Sequence, residues 1–114
     1  MADCIFCKIA AKEIGAQVVY EDDDFLAFRD IRPVAPTHVL LIPKKHFDSL
    51  LDLKAGDAPL AGRMLALVPQ LAEELGLARE GFRVVINTGT LGGQTVNHLH
   101  FHLLGGRALE WPPG

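Results

Sequence analysis

A chain of 114 residues has room for one hydrophobic core and not for two independent ones. Apolar residues make up 49% and charged residues 22%, a globular balance that excludes disorder, and a net charge of −3 excludes the broad basic face of a nucleic-acid binder. Anionic substrates must be met by a local site rather than by a global field.

No apolar run approaches the roughly 20 residues needed to span a bilayer. The opening Met1-Ala2-Asp3-Cys4 lacks the basic-then-apolar layout of a signal peptide. Cys4 and Cys7, with two residues between them, do not look like a secreted disulfide framework. These features predict a soluble cytoplasmic protein with no membrane partner.

In chain order, residues 4–12 read as a short helix with Ile5 and Ile9 on one face. Val18-Val19-Tyr20 predicts a short strand, the acidic run Glu21 to Asp24 a solvated turn, and Phe25 to Asp30 a second strand closing a hairpin. Pro33 and Pro36 mark a loop, and Thr37 to Ile42 a third strand stopped by Pro43. The long helix is the clearest element. Asp57 is placed as its N-cap, Pro59 falls in its first turn, and Leu60, Met64, Leu67, Val68, Leu71 and Leu75 form its apolar stripe. Gly76 supplies a stop, and Pro69 predicts a kink by deleting a backbone hydrogen bond. Phe82 to Thr88 and His98 to Leu104 complete five strands around a glycine-bearing loop at Thr90 to Gln94, and the tail after Gly106 should be extended. Short connections leave little room for parallel crossovers. The expected fold is α+β in a single domain, 1–114: a five-stranded antiparallel sheet with one long helix and one short N-terminal helix.

Along the last strand, His98, His100 and His102 should face one way and Leu99, Phe101 and Leu103 the other. The apolar set needs a core, so the histidines line a polar cleft with neighbours about 7 Å apart. Three close imidazoles resist simultaneous protonation, and an anion in the cleft relieves their repulsion, which suits a phosphate. The spacing alone also admits zinc ligation or plain polar filling.

The segment from Gly92-Gly93-Gln94-Thr95 through His98-Leu99-His100-Phe101-His102 resembles the signature of the histidine triad (HIT) superfamily of nucleotide hydrolases and transferases. Ile5-Phe6, Ala27-Phe28 with Asp30-Ile31, Ala35-Pro36-Thr37-His38, Ile42-Pro43-Lys44-Lys45-His46 and the ending Trp111-Pro112-Pro113-Gly114 are similar to its nucleotide-binding Hint branch.

That resemblance implies a HIT-like fold and a nucleophile, His100, which attacks the α-phosphorus and forms a nucleotidyl-histidine that water hydrolyses. Its second ring nitrogen would donate to the carbonyl of His98, which selects the tautomer. His102 and His38 would contact the phosphate oxygens. Gln94 and Thr95 match the Gln-Ser position before the triad, and Thr95 would bind phosphate or relay a proton to the leaving group. Thr in that place resembles the dinucleoside polyphosphate hydrolases of the superfamily. Asp30 matches the ribose-binding carboxylate, Asn87 a residue near ribose and phosphate, and Ile5, Phe6, Ile9, Phe28, Ile31 and Leu40 the apolar walls around the base. The resemblance further implies a homodimer with a continuous ten-stranded sheet and Trp111 near the partner's site. For Trp111, an anchor pinning the tail is an equal alternative, and core packing is the alternative for each apolar wall residue.

Cys4-x-x-Cys7 is half of a structural zinc site; two buried free thiols or a redox pair are the alternatives. Some bacterial members of the superfamily complete such a site with histidines corresponding to His46 and His98. Catalysis itself would need no cofactor. The leading expectation is a purine nucleoside phosphoramidase releasing AMP or GMP. Dinucleoside polyphosphate hydrolysis and a nucleotide-binding regulatory or scaffold role are the alternatives.

Overall fold

The structure, a computed structural model, describes residues 3–114, and Met1-Ala2 lies outside them. Helix α1 (Ile5–Ala10) starts where the Cys4 sulphur accepts the Cys7 backbone N–H at 3.3 Å, and it buries Phe6 and Ile9. It is shorter than predicted and ends before Lys12, whose positive φ of 65° turns the chain away. Strands β1 (Val18–Glu21) and β2 (Phe25–Arg29) form the predicted hairpin. Asp22 Oδ1 holds its turn by accepting from the backbone N–H groups of Asp24 and Phe25 at 2.8 and 2.7 Å.

Strand β3 (Thr37–Pro43) leads through two short 3₁₀ turns, Leu50–Asp52 and Ala55–Asp57, into helix α2 (Ala58–Glu74). Asp57 occupies the N-cap position of α2 as expected, but its side chain makes no capping hydrogen bond to the helix. Its carboxylate instead accepts the Lys54 N–H at 3.0 Å, closing the 3₁₀ turn that feeds the helix. The apolar stripe lies where its period places it: Met64, Leu67, Val68 and Leu71 are buried, Leu60 and Leu75 partly so. The helix runs on through Pro69 on its solvent side and stops at Gly76, φ +74°.

Strands β4 (Phe82–Val85) and β5 (Phe101–Gly105) complete one antiparallel sheet in the order β1-β2-β3-β5-β4. Both begin or end inside their predicted spans. The β3–β5 ladder closes at Leu41↔Phe101, because the next ladder positions of β3 reach Pro43, which has no N–H to give. The backbone beyond finds other partners, with Leu99 N–H donating to Phe47 O at 2.7 Å. β4 stops at Val85, after which Asn87 donates to Gly92 O at 2.7 Å and bends the chain into the glycine loop.

Side-chain alternation survives past the end of β5. Leu99, Phe101 and Leu103 enter the core under α2 with Val39 and Leu41, while Leu26, Phe28, Leu40 and Ile42 pack beneath α1 on the opposite face. The histidines emerge on the α1 side. No helix among the described residues is long and apolar enough to cross a membrane.

Candidate active site and metal centre

His100 sits immediately before β5, where the chain is not paired as a strand. Its Nδ1–H donates to the His98 carbonyl at 2.6 Å, an acceptor with no proton of its own, so the proton resides on Nδ1 and Nε2 keeps a lone pair. Phe6 stacks edge-on against this ring with centroids 5.1 Å apart and leaves it little room to turn. Burial holds the His100 pKa below its ordinary value, so the ring is neutral at pH 7. A fixed, neutral imidazole with one free lone pair is a nucleophile.

Its cavity, about 300 Å³, lies between α1, β2, β3 and the segment before the histidines. Ile5, Phe6, Ile9, Phe28 and Leu40 form apolar walls, with Asp30, Thr95, His100 and His102 as the polar groups. Ile31, 91% exposed, stands at the rim. The residues predicted as walls therefore converge on one space, along with Ile14 to Ala16, whose only sequence signal was a glycine in the connection after α1.

Four predicted residues do not line it. His38 lies behind His102, its Nε2 2.9 Å from His102 Nδ1, and is buried. Gln94 is consumed by the backbone: its amide donates to Asp48 O and Val96 O at 2.6 and 3.0 Å, and its carbonyl accepts from Gly89 N–H. Asn87 braces the glycine loop, and Trp111, 80% exposed, stands away on the tail. Arg83 ties that tail to the sheet by donating to Leu109 O and Glu110 O at 3.3 and 2.8 Å.

Beside the cavity, Cys4, Cys7, His46 and His98 bring one donor atom each within 4.8 Å of the others. His98 Nδ1 is 3.3 Å from Cys4 Sγ, 3.5 Å from Cys7 Sγ and 3.1 Å from His46 Nδ1, and Cys7 Sγ is 3.3 Å from His46 Nδ1. Ligand bonds of about 2.0–2.3 Å in a tetrahedron put donors roughly 3.3–3.8 Å apart; the three sulphur–nitrogen separations fall in that range and the nitrogen–nitrogen one just below it, a spacing suited to one small metal ion. The outer ring nitrogens are also engaged correctly. His98 Nε2–H donates to Pro43 O at 2.8 Å and His46 Nε2–H to Asp48 Oδ1 at 2.6 Å, which leaves both Nδ1 lone pairs facing the sulphurs. Without a cation the Cys7 thiol is pushed up to about 11 by burial and the adjacent Cys4 sulphur, and a cation at the centre reverses that preference. The four residues could hold a metal. Pro43 O and Asp48 have no motif of their own; only nearness to His46 in sequence could have flagged Asp48.

His102 is held down to about 4 by burial, then by the neighbouring His100 and His38 rings. His38 and His98 are lowered as well, chiefly by burial.

The HIT domain family model matches residues 11–109, and the chain belongs to that family. A HIT-like protein of Synechococcus elongatus is 56% identical over 112 residues, covering 98% of this chain and 97% of that protein. The crystal structure of a HIT family hydrolase from Legionella pneumophila superposes with a TM-score of 0.96 at 53% identity, covering 98% of this chain and 100% of that one. A histidine triad nucleotide-binding protein from Candida albicans superposes at 0.83 with 34% identity, covering 96% and 83%.

Proposed function

We propose that the protein is a nucleotide hydrolase of the Hint branch, a purine nucleoside phosphoramidase that releases AMP or GMP through a nucleotidyl-histidine. The observation that carries this reading is the His100 Nδ1–H bond to His98 O, which leaves Nε2 as a lone pair on a residue lining the cavity. In the first step Nε2 bonds the α-phosphorus as the P–N bond to the amine breaks, and the amine departs with a proton that solvent water supplies through the Thr95 hydroxyl. Water then attacks the phosphorus, freeing His100 and the nucleoside monophosphate. The apolar walls hold the base, Asp30 the ribose, and His102, with His38 behind it, steadies the charge growing on phosphate oxygens. Two relatives support this reading: the Legionella pneumophila protein is a HIT family hydrolase and the Candida albicans protein a histidine triad nucleotide-binding protein.

Zinc suits the Cys₂His₂ donor set and would be structural, deprotonating the thiols and joining α1 to the segment before β5. We assign no step of the reaction to it. A homodimer is supported by the unpaired edge of β4, where Phe82 is exposed, and its partner tail would place Trp111 near the site. Two cysteines in a metal cluster rather than a disulfide suit a cytoplasmic protein. Thr95 at the cavity wall favours dinucleoside polyphosphates as the second substrate class.

Rapid-quench trapping with an adenosine phosphoramidate tests the mechanism. A covalent adenylyl group on His100, absent from His100→Asn, is expected. Full turnover by that variant would refute it.

A further inference from the structure

The cysteine pair has a chemistry besides ligation. Cys4 and Cys7 bracket one helical turn: the Cys4 carbonyl already accepts the Lys8 N–H at 3.0 Å, and the two sulphurs lie within 4.8 Å of each other. Cα atoms three residues apart in such a turn are about 5 Å apart, inside the span a disulfide bridges. Rotation of the side chains is enough to join them. Access to the two is unequal, since Cys4 lines a surface cavity of about 600 Å³ with Asp48 and Asn97, and Cys7 does not. The same sulphurs tie α1 to the sheet. Among the described residues, the hydrogen bonds of Ile5–Ala10 stay within residues 4–13, apart from the Cys7 sulphur, which meets His46 and His98 as the Cys4 sulphur meets His98.

We propose that Cys4 and Cys7 form a peroxide-oxidised disulfide site, whose closure releases the metal and loosens α1, so that nucleotide binding requires reduced thiols. The last clause rests on reading the neighbouring cavity as a nucleotide site. The Cys4 thiolate attacks one oxygen of hydrogen peroxide, the O–O bond breaks, and the departing hydroxide takes a proton from solvent, leaving a sulfenic acid. The Cys7 thiolate then attacks the Cys4 sulphur and displaces its hydroxyl, which leaves as water after protonation. Two thiolates, one peroxide and two protons become one disulfide and two waters. The sulphurs lose two electrons and the peroxide oxygens gain them.

Neither disulfide sulphur keeps the thiolate charge of a metal ligand, and His46 and His98 alone do not make a four-ligand site. Helix α1 then rests on the packing of Phe6 and Ile9, and six residues do not hold a helix in water by themselves. Ile5, Phe6 and Ile9 are walls of the nucleotide cavity, and Phe6 packs edge-on against His100. Loosening α1 therefore removes one wall of the site and the ring that holds the nucleophile in place.

The test treats reduced, zinc-loaded protein with a small excess of hydrogen peroxide. The peptide carrying both cysteines should lose two hydrogens in mass, one equivalent of zinc should pass to a chromogenic chelator, and amide exchange across residues 5–10 should quicken. The Kd for AMP should rise about tenfold or more, the worth of one apolar wall side chain, and dithiothreitol with zinc should restore every reading. Reduced protein carrying both Cys4→Ser and Cys7→Ser, metal-free without a disulfide, should bind AMP as weakly as the oxidised wild type. Cysteines still open to alkylation after peroxide, or a disulfide formed with zinc retained, overturns the proposal alone. So does unchanged AMP affinity in the oxidised protein or in the double variant. Failure of the reduced, zinc-loaded protein to bind AMP overturns the nucleotide reading and the control of binding with it, and zinc release then decides the disulfide site by itself.

Discussion

Two groups of histidines stand side by side on one face of the sheet and have opposite characters. At His46 and His98 every ring nitrogen is committed: Nε2 donates to Asp48 or Pro43, and Nδ1 points at the sulphurs. At His100 one nitrogen is committed and the other is not. Neither composition nor burial separates the groups, because His98 and His100 are both buried and both lowered in pKa. The backbone does separate them. A carbonyl placed at Nε2 makes a ligand of Nδ1, and a carbonyl placed at Nδ1 makes a nucleophile of Nε2. His98 belongs to both groups, its ring in the cluster and its carbonyl under His100.

The sharpest way to break this contrast is His100→Asn. Turnover of an adenosine phosphoramidate should fall by about 10⁴-fold or more, while metal content stays at the wild-type value. Parallel loss of metal would show that the groups are not separable. Next in size, Cys4→Ser with Cys7→Ser should abolish zinc binding and cost about 4 kcal/mol in urea unfolding when free metal exceeds its Kd a thousandfold. Unchanged stability and metal content would leave the four residues with no joint task.

Phe6 sharpens the comparison because its ring packs edge-on against both His98 and His100, and against Phe28. Phe6→Ala should destabilise the fold by about 3–5 kcal/mol and weaken nucleotide binding together, measured by calorimetry. A stability loss without a binding loss would place Phe6 in the core alone.

The pH dependence follows from His102. Its pKa is about 4 in the fold and close to 6.5 in an unfolded chain, so the unfolded state binds more protons between those values. Stability should therefore rise from pH 4 to about 6.5 and then flatten as far as this group is concerned, with His38, His98 and His100 contributing in the same direction. Denaturant midpoints across that range check it; a flat profile would contradict a neutral, buried triad. The smallest effect belongs to Trp111→Ala, within about 0.5 kcal/mol of wild type because the ring is 80% exposed. A change in leaving-group preference without a change in stability would assign Trp111 to a partner's site rather than to anchoring the tail.

Much of this was legible in the chain. The stripe of α2 and the alternation from His98 to Leu103 are local periodicities, and local geometry settles which side chains share a face. The Cys4-x-x-Cys7 pair together with His46 and His98, and the wall residues of the cavity, came from motifs. The ends of β4 and β5 did not follow from periodicity, since a strand extends only as far as its partner can pair, and Pro43 ends the ladder from another strand. Asn87 and Gln94 read as site residues, yet their amides brace the loop, a choice made by carbonyls of Gly92, Asp48 and Val96.

By itself, then, the sequence determined an α+β fold, the face on which its histidines emerge and the residue types available there. Only the tertiary structure decided which nitrogen of each ring is free. That depends on the Pro43 carbonyl beneath His98, Asp48 beside His46 and the Val34 N–H at His38, groups brought from elsewhere in the chain, and no side-chain alphabet encodes where a backbone carbonyl will point.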